Sequence, residues 1–183
     1  RLTLADVDLG VQYALVLTTN AGLWAYDIGD TVKFVSLDPP RIVVTGRIKH
    51  FTSAFGEHVI AEEVEGALSE ALAAGGGSVV EFHVAPQVAP AEGLPFHEWF
   101  VEFAEPPSDR QRFIAAADEA LQRRNPYYKD LIAGAVLRSA VLTELPTGAF
   151  NEAMRSLGRL GGQNKPPRLA NDRNFAAALT PRS

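Results

Sequence analysis

The sequence predicts an α+β fold in which a mostly antiparallel sheet carries helices on one face. Three observations support this prediction. Short strand-forming runs fill the first 46 residues, apolar residues recur at every fourth position between 58 and 74, and two later segments alternate between apolar and polar residues. With 183 residues, 46% of them apolar, the chain can bury a core without disulfides.

The first 46 residues are expected to form a small antiparallel unit. Residues 11–19 favour a strand, and the Asn-Ala-Gly turn at 20–22 predicts a hairpin with the segment that follows. Residues 31–37 and 42–45 are predicted to be two further strands. A unit this thin cannot bury its own core, so we expect it to be the β-rich edge of a larger body.

An amphipathic helix is predicted over residues 58–74, and the three glycines at 75–77 end it. Its apolar stripe comprises Ile60, Val64, Leu68 and Leu72. Residues 78–84 and 96–104 alternate as strands, and we expect them to pair across the loop at 86–95.

A second helix is predicted to begin at a capping box of Ser108 and Gln111 and to stop at the Asn-Pro pair at 125–126. Its apolar stripe comprises Phe113, Ile114, Ala117, Ala120 and Leu121. A strand is expected at 133–143, and a short helix after the Thr-Gly pair at 147–148. Counted from residue 42, the order is strand, helix, strand, strand, helix, strand, helix, which is a small split βαβ, or ferredoxin-like, layout.

Composition argues against several classes of function. The net charge is −5 and the basic residues form no single stripe, so we expect neither nucleic acid nor an anionic membrane as a partner. No stretch approaches the roughly 18 uninterrupted apolar residues of a membrane helix. Cysteine is absent, which fits a reducing compartment, and we expect a cytoplasmic protein. Because the chain opens at Arg1 directly in an alternating run, we expect a fragment of a longer polypeptide.

Asp30 and Arg47 each follow a glycine at the end of an apolar run. An aspartate in this position can simply complete a Gly-Asp turn, and most arginines at strand ends are solvated. A carboxylate fixed at a strand end can also accept hydrogen bonds from the vicinal hydroxyls of a ribose. Taken together, the two residues favour a nucleotide site.

Lys165 lies between a glycine pair and a proline pair, in a segment too irregular for a helix or strand. Most loop lysines are ordinary surface residues. An ammonium brought about 4 Å from a developing negative charge, however, contributes roughly 4 kcal/mol at an effective dielectric near 20. Glycine lets such a loop move, and Pro166 with Pro167 stiffens its other side. The segment is therefore suited to presenting one amine to a reaction.

The four histidines are His50, His58, His83 and His97, and their spacing fits no zinc site. We expect no metal site in the chain. His83 and His97 fall on predicted strands, where packing or surface roles are the ordinary expectation. The glycines at 75–77 follow a helix, so they are interpreted as a cap and not as a phosphate loop.

Four motifs occur in a fixed order: GRIKHF at 46–51, SAFGEHVI at 53–60, TGAF at 147–150 and QNKPPR at 163–168. In this order they resemble the C-terminal part of adenylate-forming acid ligases, and more narrowly the auxin-responsive-promoter family of acyl acid amido synthetases in a bacterial-type version. The resemblance covers nearly the whole chain. It implies that residues 1–46 end a large N-terminal adenylation domain and that 47–183 form a small mobile C-terminal domain.

The resemblance also implies roles for five residues. Asp30 matches the family aspartate that holds the ribose hydroxyls of ATP, and Tyr26 belongs to the same motif near the nucleotide. Arg47 and Lys49 match the hinge about which the small domain rotates, with Arg47 also beside the nucleotide. Lys165 matches the lysine that assists adenylation. In one departure from the family pattern, Asp27 stands where arginine is common, which changes the expected charge near the nucleotide.

The reaction implied is attack of a carboxylic acid on the α-phosphate of ATP, with Mg²⁺, followed by transfer of the acyl group to an amino acid. The phosphate loop and the acyl pocket would belong to the missing N-terminal domain of the same polypeptide, so the fragment alone is expected to be inactive. A non-catalytic ferredoxin-like module that binds a ligand or a protein is the alternative. A nucleic-acid-binding domain comes third, because the acidic balance opposes it.

Overall fold

The computed structural model describes residues 2–47, 51–159, 161 and 164–180, and it divides the chain into two compact units. The first unit is Arg1–Lys49 and the second is His50–Ser183. The whole is a mixed α+β structure, as the sequence predicts. In the described ranges no helix is both long and apolar enough to cross a membrane.

The first unit is a three-stranded antiparallel sheet in the order β1 (Gln12–Leu17), β2 (Tyr26–Leu37) and β3 (Pro40–Arg47). The expected hairpin is confirmed, because β1 pairs with β2 across the turn that contains Gly22. The unit is thin. Among its described residues Val32 and Phe34 are the buried apolar side chains, and the ring of Tyr13 packs edge-on against Phe34 at 6.0 Å.

The predicted Gly-Asp turn at Asp30 is wrong, because β2 continues through it. Gly29 adopts a left-handed conformation with φ of +77°, and the pairing with β1 shifts register between Ala14 and Val16. This is the geometry of a β-bulge: between the pairs Ala14–Thr31 and Val16–Asp27, β2 has two residues more than β1 and continues without ending. Asp30 therefore lies inside a strand, with residues of β2 both before and after it.

The second unit has a three-stranded sheet in the order β6 (Ser78–Gln87), β7 (Phe96–Glu105) and β8 (Val141–Leu145). β6 and β7 are antiparallel, as predicted, and β8 joins β7 in parallel. The predicted strand at 42–45 does not belong here, because it is part of β3 in the first unit. A short pair formed by β4 (Phe51–Thr52) and β5 (Val59–Ile60) opens the second unit instead.

Two long helices cover one face of this sheet. α1 (Ala61–Gly75) and α2 (Arg110–Arg124) bury the stripes that their sequences predict, with the exception of the first and last positions of the α1 stripe. They pack on alternate residues of the strands, which point to the same side. The resulting core includes Val64, Leu68, Phe82, Val84, Trp99, Val101, Phe113 and Leu121.

The opposite face is covered by two short helices, α4 (Ala149–Ser156) and α5 (Asn174–Leu179). They form a second core around Phe100, Phe150 and Phe175. Fully burying a phenylalanine stabilises a fold by roughly 1.5–3 kcal/mol. The sheet therefore has helices on both sides, and the C-terminal segment is an integral layer of the unit.

Three details of the second unit differ from the sequence predictions. Asp109, and not Ser108, caps α2 by accepting a hydrogen bond from the Arg112 amide at 2.9 Å. The chain then forms α3 (Pro126–Ala133), which Asn125 caps in turn. The strand predicted at 133–143 consequently starts only at Val141, because proline at the first helical position favours a new helix after the stop.

Candidate functional site

Asp30 and Arg47 lie opposite each other in the ladder between β2 and β3. Directly opposed residues of an antiparallel pair have Cβ atoms about 5 Å apart. The Asp30 side chain is half-buried, so the sheet limits the positions it can adopt. The structure thus brings together the two residues that the sequence singles out for a nucleotide. The Arg47 side chain itself lies outside the part that the structure describes.

Tyr26 opens β2 on the same strand as Asp30. It pairs with Leu17 of β1, and its side chain is 52% exposed, which leaves the ring accessible. The bulge at Gly29 lies between Tyr26 and Asp30. Lys49, the second hinge residue of the resemblance, lies outside the described residues.

Lys165 belongs to the second unit, in an irregular segment of residues 164–171 that we call the strap. Its side chain is exposed and makes no hydrogen bond or ion pair with any other described residue. The rest of the strap is held firmly. The Val84 amide donates to the Arg168 carbonyl at 2.9 Å, and the Ala170 amide donates to the Val84 carbonyl at 3.0 Å. Between them Leu169 inserts into the main core.

Arg168 ties the strap to α1 and β6. Its guanidinium donates to Glu65 at 3.0 Å and to Glu81 at 3.2 Å, and it lies 5.4 Å from the centre of the Phe82 ring. Exposed ion pairs contribute little to stability individually, about 0–1 kcal/mol. Three contacts on one side chain nevertheless fix its direction, three residues beyond Lys165.

Two further hydrogen bonds link the strap to other parts of the second unit. The Nδ1 atom of His83, on β6, lies 2.6 Å from the Pro167 carbonyl oxygen. Burial, which outweighs this hydrogen bond, lowers the pKa of His83 to about 4, so the ring is neutral at pH 7. Farther along, the Asn171 side-chain oxygen accepts a hydrogen bond from the Ser53 amide at 2.8 Å.

A buried polar cluster lies in the core of the second unit. Glu57 and His97 are both fully buried, with Oε1 of Glu57 3.0 Å from Nε2 of His97. The His97 ring stacks on Tyr128 with centroids 4.9 Å apart, and the Tyr128 hydroxyl donates to Asp118 at 2.6 Å. Burial and Asp118 both raise the pKa of Tyr128 well above its ordinary value. These residues join β7, α2 and the helix of residues 126–133 to the loop between β4 and β5.

The sequence singles out neither the cluster nor the anchors of the strap. Glu57 and Arg168 lie inside quoted motifs, but their partners are distant in sequence, and His83 carries only the weak signal of a polar residue within an apolar strand. No three His, Asp or Glu side chains come together as a metal site within the described ranges.

Comparison with known proteins finds two family models that match separate segments of the chain. The model of the GH3 family C-terminal domain matches residues 62–174, which is more than half of the chain. The chain belongs to the GH3 family. The model of the GH3 family central domain matches residues 1–47. The family indicated by the four sequence motifs, that of the acyl acid amido synthetases, is thereby confirmed.

Solved GH3 structures share the fold. A GH3.15 acyl acid amido synthetase superposes with a TM-score of 0.74 at 20% sequence identity, covering 97% of this chain and 35% of the other. The structure of AtGH3.15 acyl acid amido synthetase in complex with 2,4-DB gives a TM-score of 0.72 at 19% identity, covering 97% and 34%. The chain thus spans about a third of the length of these GH3 proteins. No curated protein sequence matches it.

Proposed function

We propose that this chain is the C-terminal part of an ATP-dependent ligase that activates a carboxylic acid as an acyl adenylate and transfers it to the amine of an amino acid. In this proposal residues 1–46 complete the large adenylation domain, and residues 47–183 are the small mobile domain. The observation that carries the proposal is the placement of Lys165, whose exposed amine projects from a strap that is otherwise anchored to the sheet.

Asp30 is the proposed ribose ligand of ATP. A carboxylate can accept hydrogen bonds from both vicinal hydroxyls of the sugar. Its half-buried position opposite Arg47 limits its motion, which lowers the entropic cost of holding the sugar. Tyr26, on the same strand, offers an exposed ring beside the nucleotide.

Lys165 is proposed to act in adenylation. An oxygen of the carboxylic acid attacks the α-phosphorus of ATP, the bond from that phosphorus to the bridging oxygen breaks, and pyrophosphate leaves with the electron pair. Negative charge develops on the phosphate oxygens, and an ammonium nearby stabilises it. The electrostatic contribution of roughly 4 kcal/mol corresponds to about a thousandfold in rate.

The second half-reaction needs the lysine to withdraw. The amine nitrogen attacks the acyl carbon, AMP leaves, and the nitrogen loses a proton to give the amide. We propose that the small domain turns about Arg47 and Lys49 between the two steps, which excludes water first and admits the amine later. The division into two compact units after Lys49 supports a hinge in this place.

Mg²⁺ would bind the phosphates of ATP and neutralise part of their charge. The described residues of this chain offer no cluster of ligands for it. We therefore propose that its ligands and the acid pocket belong to the preceding part of the polypeptide, and that the fragment is inactive alone. We also propose a cytoplasmic location, where both ATP and amino acids are supplied.

The test is acid-dependent exchange of pyrophosphate into ATP by the full-length polypeptide, measured over a panel of carboxylic acids. Lys165→Ala should lower the exchange rate by about a thousandfold. Lys129→Ala, which removes another exposed lysine of the same unit, should leave it unchanged. Asp30→Asn should chiefly raise the KM for ATP. If the folded polypeptide supports pyrophosphate exchange with none of the acids in the panel, the ligase proposal is wrong. A non-catalytic binding module then becomes the better interpretation.

A further inference from the structure

The two prolines that follow Lys165 remove two backbone donors from the strap. Pro166 and Pro167 have no N–H group, so this stretch cannot take part in a normal strand ladder. The ladder contacts with β6 begin only at Arg168. Any hydrogen bond from another element to these two prolines must therefore be accepted by one of their carbonyl oxygens.

His83 supplies such a hydrogen bond. Its Nδ1 atom lies 2.6 Å from the Pro167 carbonyl oxygen, two residues beyond Lys165. A carbonyl can only accept, so Nδ1 carries the proton and donates. The ring is fully buried and is held between aromatic neighbours, with its centroid 5.0 Å from that of Phe175 and 6.0 Å from that of Phe100.

Packing alone does not explain a histidine in this position. The other ring nitrogen, Nε2, is buried and has no hydrogen-bond partner among the described residues. For packing alone, an apolar side chain would fill the same space without burying an unpaired ring nitrogen, which is unfavourable in a core. What the imidazole adds is the hydrogen bond to Pro167.

We propose that His83 is a positioning residue for Lys165: by fixing the Pro167 carbonyl, it sets the direction in which the strap presents the lysine amine to the nucleotide. The inference rests on the proposed function of Lys165. His83 does not touch the reacting atoms. The neighbouring contacts of Val84 with Arg168 and Ala170 do not depend on His83, so its loss should free the end of the strap nearest Lys165 and leave the remainder in place.

The experiment compares two substitutions in the full-length polypeptide. His83→Asn keeps a donor, because the asparagine Nδ2 atom lies close to the position of the histidine Nδ1 atom. His83→Leu fills the volume without a donor. The leucine variant should lower kcat for pyrophosphate exchange roughly tenfold to hundredfold, the cost of misplacing a catalytic group by about 1 Å. The KM for ATP should stay unchanged, and the asparagine variant should remain within about threefold of the wild type.

Combining each substitution with Lys165→Ala separates positioning from a general structural effect. If His83 acts through the lysine, His83→Leu should have no further effect once Lys165 is absent. The proposal is overturned if the leucine variant exchanges normally, if its loss adds fully to that of Lys165→Ala, or if the asparagine variant is equally impaired.

A readout without activity distinguishes failure of this inference from failure of the proposed function. In the chain of residues 1–183, the backbone order parameter of Lys165 from NMR relaxation should fall in His83→Leu and not in His83→Asn. Should Lys165→Ala leave exchange unchanged while this order parameter still falls, the catalytic role of the lysine is wrong and the anchoring by His83 stands. An unaltered order parameter in His83→Leu refutes the anchoring itself.

Discussion

The carboxylate of Glu57 lies 3.0 Å from the ring of His97, and both side chains are completely buried. Burial opposes ionisation of Glu57. The hydrogen bond and attraction from His97 outweigh it, together with the Phe55 amide that donates at 2.8 Å, and they lower the pKa of Glu57 below its usual value. The charged form of Glu57 therefore stabilises the folded state.

This pair predicts a pH dependence of stability. Because the folded pKa of Glu57 is lowered, its contribution is complete above the unfolded value of about 4.5 and is lost as the pH falls through the folded pKa. Glu57→Gln should cost about 2 kcal/mol at pH 7 and less at low pH. Urea denaturation of both proteins between pH 3 and 7 measures the difference, and a difference that stays constant with pH would contradict the assignment.

Asp118 is predicted to be the most sensitive acidic residue of α2. It is 3% exposed and accepts hydrogen bonds from the Tyr128 hydroxyl, the Ala140 amide and the Gln122 side chain. Asp118→Ala leaves buried donors unpaired and should lower the free energy of unfolding by about 3 kcal/mol. The adjacent Glu119 is exposed, so Glu119→Ala should change it by less than about 0.5 kcal/mol. If the two substitutions lower stability equally in thermal denaturation, the hydrogen bonds of Asp118 are not important for stability.

Substitution by alanine should have different effects on stability at two glycines. Gly77 has a φ of +88°, and a Cβ there would lie 2.6 Å from the Glu105 carbonyl oxygen, so Gly77→Ala should destabilise by about 2 kcal/mol. Gly66 lies inside α1, where a Cβ would meet only the flexible end of Arg124. Gly66→Ala should therefore be neutral or stabilising by up to about 1 kcal/mol. Denaturant midpoints test both, and a loss at Gly66 as large as that at Gly77 would show that Arg124 cannot move.

Leu169 tests whether the strap is part of the core. Its side chain is 1% exposed, whereas Leu157 is 42% exposed. Leu169→Ala should reduce stability by about 2–5 kcal/mol through cavity formation, and Leu157→Ala by much less. Chemical denaturation followed through the buried Trp99 gives both values. A small effect at Leu169 would mean that the strap can leave the sheet without cost.

Features determined by local sequence could be predicted. The stripes of α1 and α2, the β6–β7 pair and the irregular strap all follow from periodicity, glycine and proline. The bulge at Gly29 could not, because a glycine before an aspartate is equally compatible with a turn, and only the register with β1 decides between them. The strand prediction for residues 133–143 was wrong for a related reason, since a short apolar run does not distinguish a helix from a strand.

The same distinction between local patterns and distant contacts applies to the residues of the candidate site. Motif order pointed to Arg47 and Lys165, and the glycine before Asp30 at the end of an apolar run pointed to that residue. The groups that hold the strap depend instead on contacts between distant segments. His83 and Pro167 are 84 residues apart, and Ser53 and Asn171 are 118 apart. Such pairs leave no local pattern, because neither partner is unusual among its own neighbours.

The two hydrogen bonds between Val84 and the strap also have a consequence for solubility. β6 is the outermost strand on its side of the sheet, and an uncovered outer strand offers unpaired amides and carbonyls to another molecule. The C-terminal residues shield the middle of that strand. A chain that ends before residue 164 would therefore expose the unpaired edge of β6 next to a partly opened core. Such a truncated protein should aggregate on expression, whether or not the proposed reaction is correct.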